Sequence, residues 1–238
     1  MPEQTPALVR PVRLSLSDAV HEALMEQLMS GEIRPDSVLR IDVIGRELGV
    51  SHSPVREALS RLEARGLVVR NALKGYRAAP LLTSDELSQL YAARLAVEPA
   101  NAFAASGNVN AKFLRHLEDT VRRGRKARKG PTFDDYRGYL EAEEDFHNSI
   151  KQQADNRFLA SAYDSIGGQL QRYRIFDDRG VPDAEPALAE HSEIIEAFRS
   201  GSADDACNAM QRHIRNSRRR AFPNESGQRT LDTSAQPG

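Results

Sequence analysis

The sequence predicts a mainly α protein, an N-terminal winged helix-turn-helix followed by an all-helical bundle. Three observations predict it. Val43, Ile44 and Leu48, then Val55, Ala58, Leu59 and Leu62, follow the 3.6-residue period of two packed helices, with Gly49 in the turn between them. Two short runs suited to strands, Gly66–Arg70 and Gly75–Ala79, come directly afterwards. From Thr83 to Phe222 the apolar residues recur with helical spacing and no strand pattern intervenes.

In chain order, residues 1–14 are polar and Pro-rich and read as a flexible arm. A first helix is expected from Ser17 to Ser30, with Val20, Ala23, Leu24, Met25 and Leu28 as its apolar stripe and Gly31 as its stop. Ser37 to Ile41 can form a short strand. The helix from Ser53 to Arg65 presents His52, Ser53, Arg56 and Arg61 on its exposed side, and a helix of this kind fits the major groove of DNA, about 12 Å wide. The two later strands make a wing around Gly75, flanked by Lys74 and Arg77.

Residues 15–80 therefore form one unit, and Pro80-Leu-Leu-Thr-Ser is the hinge to a second, 81–222. Thr83 with Glu86 three residues later is a capping box that starts the first bundle helix. Helices are expected over 84–106, 110–128, 133–153, 155–176, 184–200 and 202–222, with a kink at Pro99 and a bend at Gly167-Gly168. Residues 223–238 offer little to bury and read as a disordered tail.

The chain has 238 residues and a net charge of −1, which argues against a wholly basic nucleic-acid coat protein. Ser51–Arg77 is locally basic, with six Lys or Arg against two Glu, a modest phosphate-facing footprint. A single cysteine, Cys207, excludes an internal disulfide, and no apolar run nears the roughly 18 residues that span a bilayer. A cytoplasmic protein without a membrane role is the expectation. The basic run Arg122–Lys129 and the arginines of 212–220 read as exposed helix ends that favour the helix dipole.

Gly49-Val-Ser-His-Ser-Pro-Val-Arg-Glu-Ala-Leu59, with Arg61-Leu-Glu and Arg65-Gly-Leu67, resembles the winged helix-turn-helix of the GntR family of bacterial transcription regulators. The family usually has Arg where this chain has His52. An imidazole cannot make the two-pronged contact of a guanidinium with guanine, so base preference there should differ. The resemblance implies DNA contacts from Ser51, His52, Ser53, Arg56, Arg61, Arg70, Lys74 and Gly75. Ser51, Ser53 and Arg70 would position phosphates, and Arg56 and His52 would reach base edges.

Three histidines lie in suggestive settings on separate helices. His147 follows Glu143 by four residues, on one helical face; His191 sits in Glu190-His-Ser-Glu-Ile194; His213 sits in Ala209-Met-Gln-Arg-His-Ile214. One carboxylate with three imidazoles can hold a borderline divalent cation and leave positions open. His21 and His116 read as helix-surface residues.

Residues 84–222 further resemble the FadR-type C-terminal ligand-binding (FCD) domain, through Leu90-Tyr-Ala-Ala-Arg94…Glu98, Phe146-His147, Glu190-His191…Ile194 and Ala209-Met210…His213-Ile214. That resemblance implies a metal held by Glu143, His147, His191 and His213, with Glu143 where the family usually has Asp. Zinc is the first expectation, nickel and manganese the alternatives. It also implies a small organic-acid effector, for which Arg94, Asn156 and Arg172 are the candidate contacts; Arg94 equally suits a salt bridge with Glu98. The expected function is a homodimeric transcriptional repressor on an approximately palindromic DNA operator. The alternatives are a metal-free FadR-type regulator holding a carboxylate or acyl ligand, and a metal-dependent enzyme. Against the enzyme stand the missing general base, nucleophile motif and Gly-rich phosphate loop.

Overall fold

The structure, a computed structural model, describes residues 15–72, 75–128, 130, 133–166 and 184–222. Ser15 and Asp18 form a capping box that opens α1 (Leu16–Ser30), and Gly31, in the left-handed region, ends it. Val20, Leu24 and Leu28 are its buried stripe. β1 (Val38–Leu39) leads into α2 (Ile41–Glu47) and α3 (His52–Ala64). The turn between these helices needs two glycines. Gly49 takes φ +66°, and a Cβ at Gly45 would lie 2.9 Å from the backbone oxygen of Val50. The Val50 amide also donates to the Gly45 carbonyl, at 2.9 Å. β2 (Val68–Asn71) and β3 (Gly75–Ala78) complete a three-stranded antiparallel sheet in the order β1-β3-β2. Its small core joins Val20, Leu24 and Leu28 to Val55, Leu59, Leu62, Leu67 and Tyr76.

Beyond the hinge, α4 (Ser84–Ala105) begins at the expected capping box. Thr83 Oγ1 accepts from the Glu86 amide at 3.2 Å, and Glu86 Oε2 accepts from the Thr83 amide at 2.8 Å. The helix continues through Pro99 rather than ending there. A 3-10 turn (Ser106–Asn108) precedes α5 (Ala111–Lys126), α6 (Phe133–Gln153) and α7 (Arg157–Asp164). α8 (Ala184–Ser200) and α9 (Ala203–Ala221) form a hairpin at Gly201, φ +76°. α9 packs along α4 and α8, and α6 packs on α5 and α4, around a core that includes Leu87, Tyr91, Leu117, Tyr139, Phe146, Ile150, Ile194, Phe198 and Ile214. The expected helix over 155–176 is seen only as α7; Gly167 and Gly168 lie outside the described residues, as do the arm and the tail.

The basic run behaves as a charged surface. Arg122 and Arg123 pair with Asp119, and Arg123 also pairs with Asp145. His116 meets Asp145 at 3.0 Å.

The turn makes a sharp forecast. Alanine is a better helix former than glycine by about 1 kcal/mol, yet Gly45→Ala must push its Cβ against backbone rather than a movable side chain. Gly45→Ala is therefore expected to lower the thermal midpoint and weaken DNA binding; an unchanged or raised midpoint would show that the turn has slack.

Candidate functional site: a DNA-facing helix and a buried histidine cluster

The DNA-facing side is built by the N-terminal half of α3. Ser51, His52, Ser53 and Arg56 are all exposed, while Val55, Ala58, Leu59 and Leu62 turn inward. Ser51 caps α3 by position but makes no side-chain capping bond, so its hydroxyl is available at a helix end that favours anions. Arg56 has no ion-pair partner among the described residues. Arg61 Nη1 lies 2.7 Å from Asp18 Oδ1 on α1, so this exposed guanidinium also ties α3 to α1. Arg70 lies across from Tyr76, its guanidinium carbon 5.8 Å from the ring centroid. Arg77, counted in the basic footprint, donates to the Asp36 carbonyl at 2.7 Å. Gly75 takes φ +78° at the start of β3, and Lys74 lies outside the described residues.

Inside the bundle the four residues expected to hold a metal come together. Glu143 and His147 sit one turn apart on α6, His191 on α8 and His213 on α9; all four are buried. One ligand atom from each lies within 4.8 Å of the others. The α8–α9 hairpin brings its two histidines to a ring-centroid separation of 4.7 Å. His191 is stacked flat on Phe146, centroids 3.9 Å apart, and Tyr139 donates to Glu143 Oε2 at 3.1 Å.

The Nε2 atoms of His147, His191 and His213 are buried and have no hydrogen-bond partner among the described residues. An unpaired buried polar atom costs about 1–3 kcal/mol, so three of them converging on one point make this a candidate metal centre, and three nitrogens with one oxygen suit zinc or a similar cation. The donor set fits the ion. Two of the imidazoles, His191 and His213, are held toward the neutral form that binds metal. Burial, tempered by Glu143, pushes His191 down to about 4, and burial together with His191 and His147 holds His213 well below the usual histidine range.

Two further carboxylates were missed as members of this centre. Glu98 Oε2 lies 2.6 Å from His147 Nδ1, and Glu190 Oε2 lies 2.8 Å from His213 Nδ1. In the sequence Glu98 looked only like a partner for Arg94, and Glu190 only like a neighbour of His191. Both readings of Arg94 meet in one side chain. Its Nε pairs with Glu98, while its buried Nη1 has no hydrogen bond among the described residues. Burial would raise Glu98 and disfavour the charge on Arg94, but their mutual attraction wins, holding the carboxyl well below its ordinary range and the guanidinium well above its own. Asn156, expected at the effector, does another job. It is exposed, and its Oδ1 accepts from the amides of Phe158 and Leu159 as the cap of α7, at 3.0 and 3.2 Å. Arg172 lies outside the described residues.

The family model described as bacterial regulatory proteins, gntR family, matches residues 16–77, and that of the FCD domain matches residues 89–216. The chain belongs to the GntR family of DNA-binding transcriptional regulators, with a C-terminal FCD domain, and not to a family of enzymes. It is 24% identical over 205 residues, 86% of this chain and 88% of the relative, to a probable D-xylose utilization operon transcriptional repressor of Paenarthrobacter nicotinovorans. It is 23% identical over 199 residues, 84% of this chain and 86% of the relative, to the HTH-type transcriptional repressor RspR of Escherichia coli (strain K12). Among solved structures, E. coli McbR/YncC shares the fold with a TM-score of 0.74 at 16% identity, covering 90% of this chain and all (100%) of that one. A putative GntR regulator from Rhodococcus sp. RHA1 gives a TM-score of 0.67 at 19% identity, over 87% of this chain and 98% of that one. Regulators of this family bind DNA and typically dimerise. No described helix is long and apolar enough to cross a membrane.

Arg56→Ala is expected to weaken operator binding by about 1–3 kcal/mol and to relax base preference at one position. Arg61→Ala should instead act mainly through the brace to Asp18, lowering thermal stability with little change in base preference. Gel shifts on a set of single-base operator variants separate the two, and unaltered operator affinity in Arg56→Ala would show that α3 is wrongly placed.

Proposed function

We propose that this chain is a homodimeric, ligand-responsive transcriptional repressor whose effector domain holds a divalent metal. The observation that carries the reading is the buried convergence of three unpartnered imidazole nitrogens on Glu143. Two copies would place their α3 helices in successive major grooves, about 34 Å apart, on an approximately palindromic operator. His52 and Arg56 read base edges there. Ser51, Ser53 and Arg70 hold phosphates, and Lys74 and Gly75 lead the wing. The printed names of two relatives, both repressors, support repression as the sign of regulation.

Glu143, His147, His191 and His213 hold the ion, and zinc best suits three nitrogens and one oxygen. Bound there, the ion supplies a Lewis-acidic centre for carboxylate oxygens. Arg94 supplies the complementary charge, because its buried Nη1 can take a carboxylate while its Nε keeps Glu98. A small organic acid is the effector that satisfies both.

The signal has a short path to DNA. α6 carries Glu143 and His147 on its buried side and, on another, Glu144 and Arg137. Glu144 lies 3.2 Å from Arg65 at the end of α3, and Arg137 lies 2.9 Å from Glu26 of α1. Ion pairs this exposed contribute about 0–1 kcal/mol, so a small displacement of α6 can re-set them and release the paired α3 helices from their spacing.

A thermal-shift screen of small mono-, di- and tricarboxylic acids, with and without zinc, tests the reading. Binding to the folded state raises the melting point by mass action. An acid that raises it with zinc present, raises it less after chelation or in Arg94→Met, and dissociates the chain from its operator is expected. Stabilisation by an acid that is indifferent to both zinc and Arg94 would instead favour a metal-free ligand site.

A further inference from the structure

We propose that Glu98 and Glu190 are positioning residues for the histidine cluster, each holding Nδ1 of one imidazole so that the ring's Nε2 is aimed into the shared centre. The inference rests on the metal reading of that cluster. It goes further by assigning which nitrogen of each of two histidines is the ligand and what fixes it.

Glu98 stands 2.6 Å from His147 Nδ1 and Glu190 stands 2.8 Å from His213 Nδ1. An ionised carboxylate can only accept, so the ring nitrogen facing it, Nδ1, is the one that carries a proton, which leaves Nε2 as the nitrogen able to offer a lone pair. Glu190 makes a hydrogen bond with His213 Nδ1, whereas Glu98 approaches His147 Nδ1 at ion-pair distance without hydrogen-bond alignment; both Nε2 atoms are buried in the centre without a hydrogen bond among the described residues. Tautomer and direction agree at His213 through a hydrogen bond, and at His147 through the close approach of the Glu98 carboxylate.

Each carboxylate is itself fixed. Glu98 is gripped by the buried Arg94 one turn earlier on α4. Glu190 takes both terminal nitrogens of Arg220, at 2.7 and 2.9 Å, and the amide of Asn216 at 2.8 Å. Each also belongs to a different helix from the ring it holds: α4 steers a histidine of α6, and α8 steers one of α9. The ties therefore set ring orientation and helix spacing together. The Glu98 tie has a second end, since the guanidinium it anchors is the one assigned to the effector. Effector and ion thus share one carboxylate.

The alternative role is neutralisation of Arg94 and Arg220 alone, which would leave ion affinity untouched. Metal-stripped full-length protein is titrated with zinc against a chromophoric chelator, comparing wild type with Glu98→Gln, Glu190→Gln and, as a control carboxylate on α6 outside the cluster, Glu144→Gln. Loss of an orienting carboxylate typically weakens ion binding about 10- to 100-fold. That loss is expected in Glu98→Gln and Glu190→Gln and not in Glu144→Gln. Cobalt(II) put in place of zinc should show altered visible absorption bands in the first two only. Should Glu98→Gln fail to fold with Arg94 uncompensated, Glu190→Gln decides alone. If wild type and both glutamine variants bind zinc equally tightly, with the same cobalt spectra, the two carboxylates merely neutralise arginines and the proposal is overturned. Failure of the wild-type chain to bind zinc at all overturns the metal reading and this inference with it.

Discussion

Three imidazole nitrogens share one buried space in the effector bundle, and no side chain of the described residues satisfies them. A packed interior tolerates very few such atoms, because each forgoes the hydrogen bonds it had in water. The bundle is organised to keep them there. α6 supplies a carboxylate and a histidine one turn apart, the α8–α9 hairpin at Gly201 supplies two more histidines face to face, and α4 closes the centre with Glu98 and Arg94. Ordinary apolar packing surrounds this core, from Leu87 and Tyr139 to Phe198 and Ile214. The stability of the bundle lies in that packing, and the function we propose for it lies in the polar centre the packing encloses.

α6 links the two halves of the molecule. A single helix holds Glu143 and His147 on one side and the partners of Arg65 and Glu26 on another. The apolar core of the bundle and that of the DNA-reading unit are separate clusters. What joins them is largely exposed charge, which screens easily and rearranges cheaply. Strong packing within each unit and weak pairing between them is the arrangement expected of a regulator whose two ends must respond to each other.

Much of this was legible in the sequence, for physical reasons that differ from place to place. The helix pair around Gly49 was legible because apolar period and turn chemistry agree there, and Thr83 with Glu86 marked a helix start because a capping box is a local interaction. The grouping of Glu143 with His147 followed from helical spacing, but His191 and His213 joined them only through resemblance to a family, since no local rule relates separate helices. The exposure of Arg61 on α3 was readable, whereas its partner Asp18 is far away in sequence and close only after α1 packs on α3. Asn156 takes a local capping role at α7, of the kind that short-range sequence rules describe. Glu98 and Glu190 were missed because a carboxylate that orients a ring leaves no spacing signature of its own; only the packing of α4 on α6 and of α8 on α9 reveals it.

The central claim is that the buried centre binds a metal through its histidines. Equilibrium dialysis of metal-stripped protein against zinc, followed by elemental analysis, tests it most directly. The account predicts a single tightly held ion per chain in the wild type and its loss in both His147→Ala and His191→Ala, with the α-helical circular dichroism retained. A wild-type chain that takes up no zinc, nickel or manganese, or variants that hold the ion as firmly as the wild type, would contradict it.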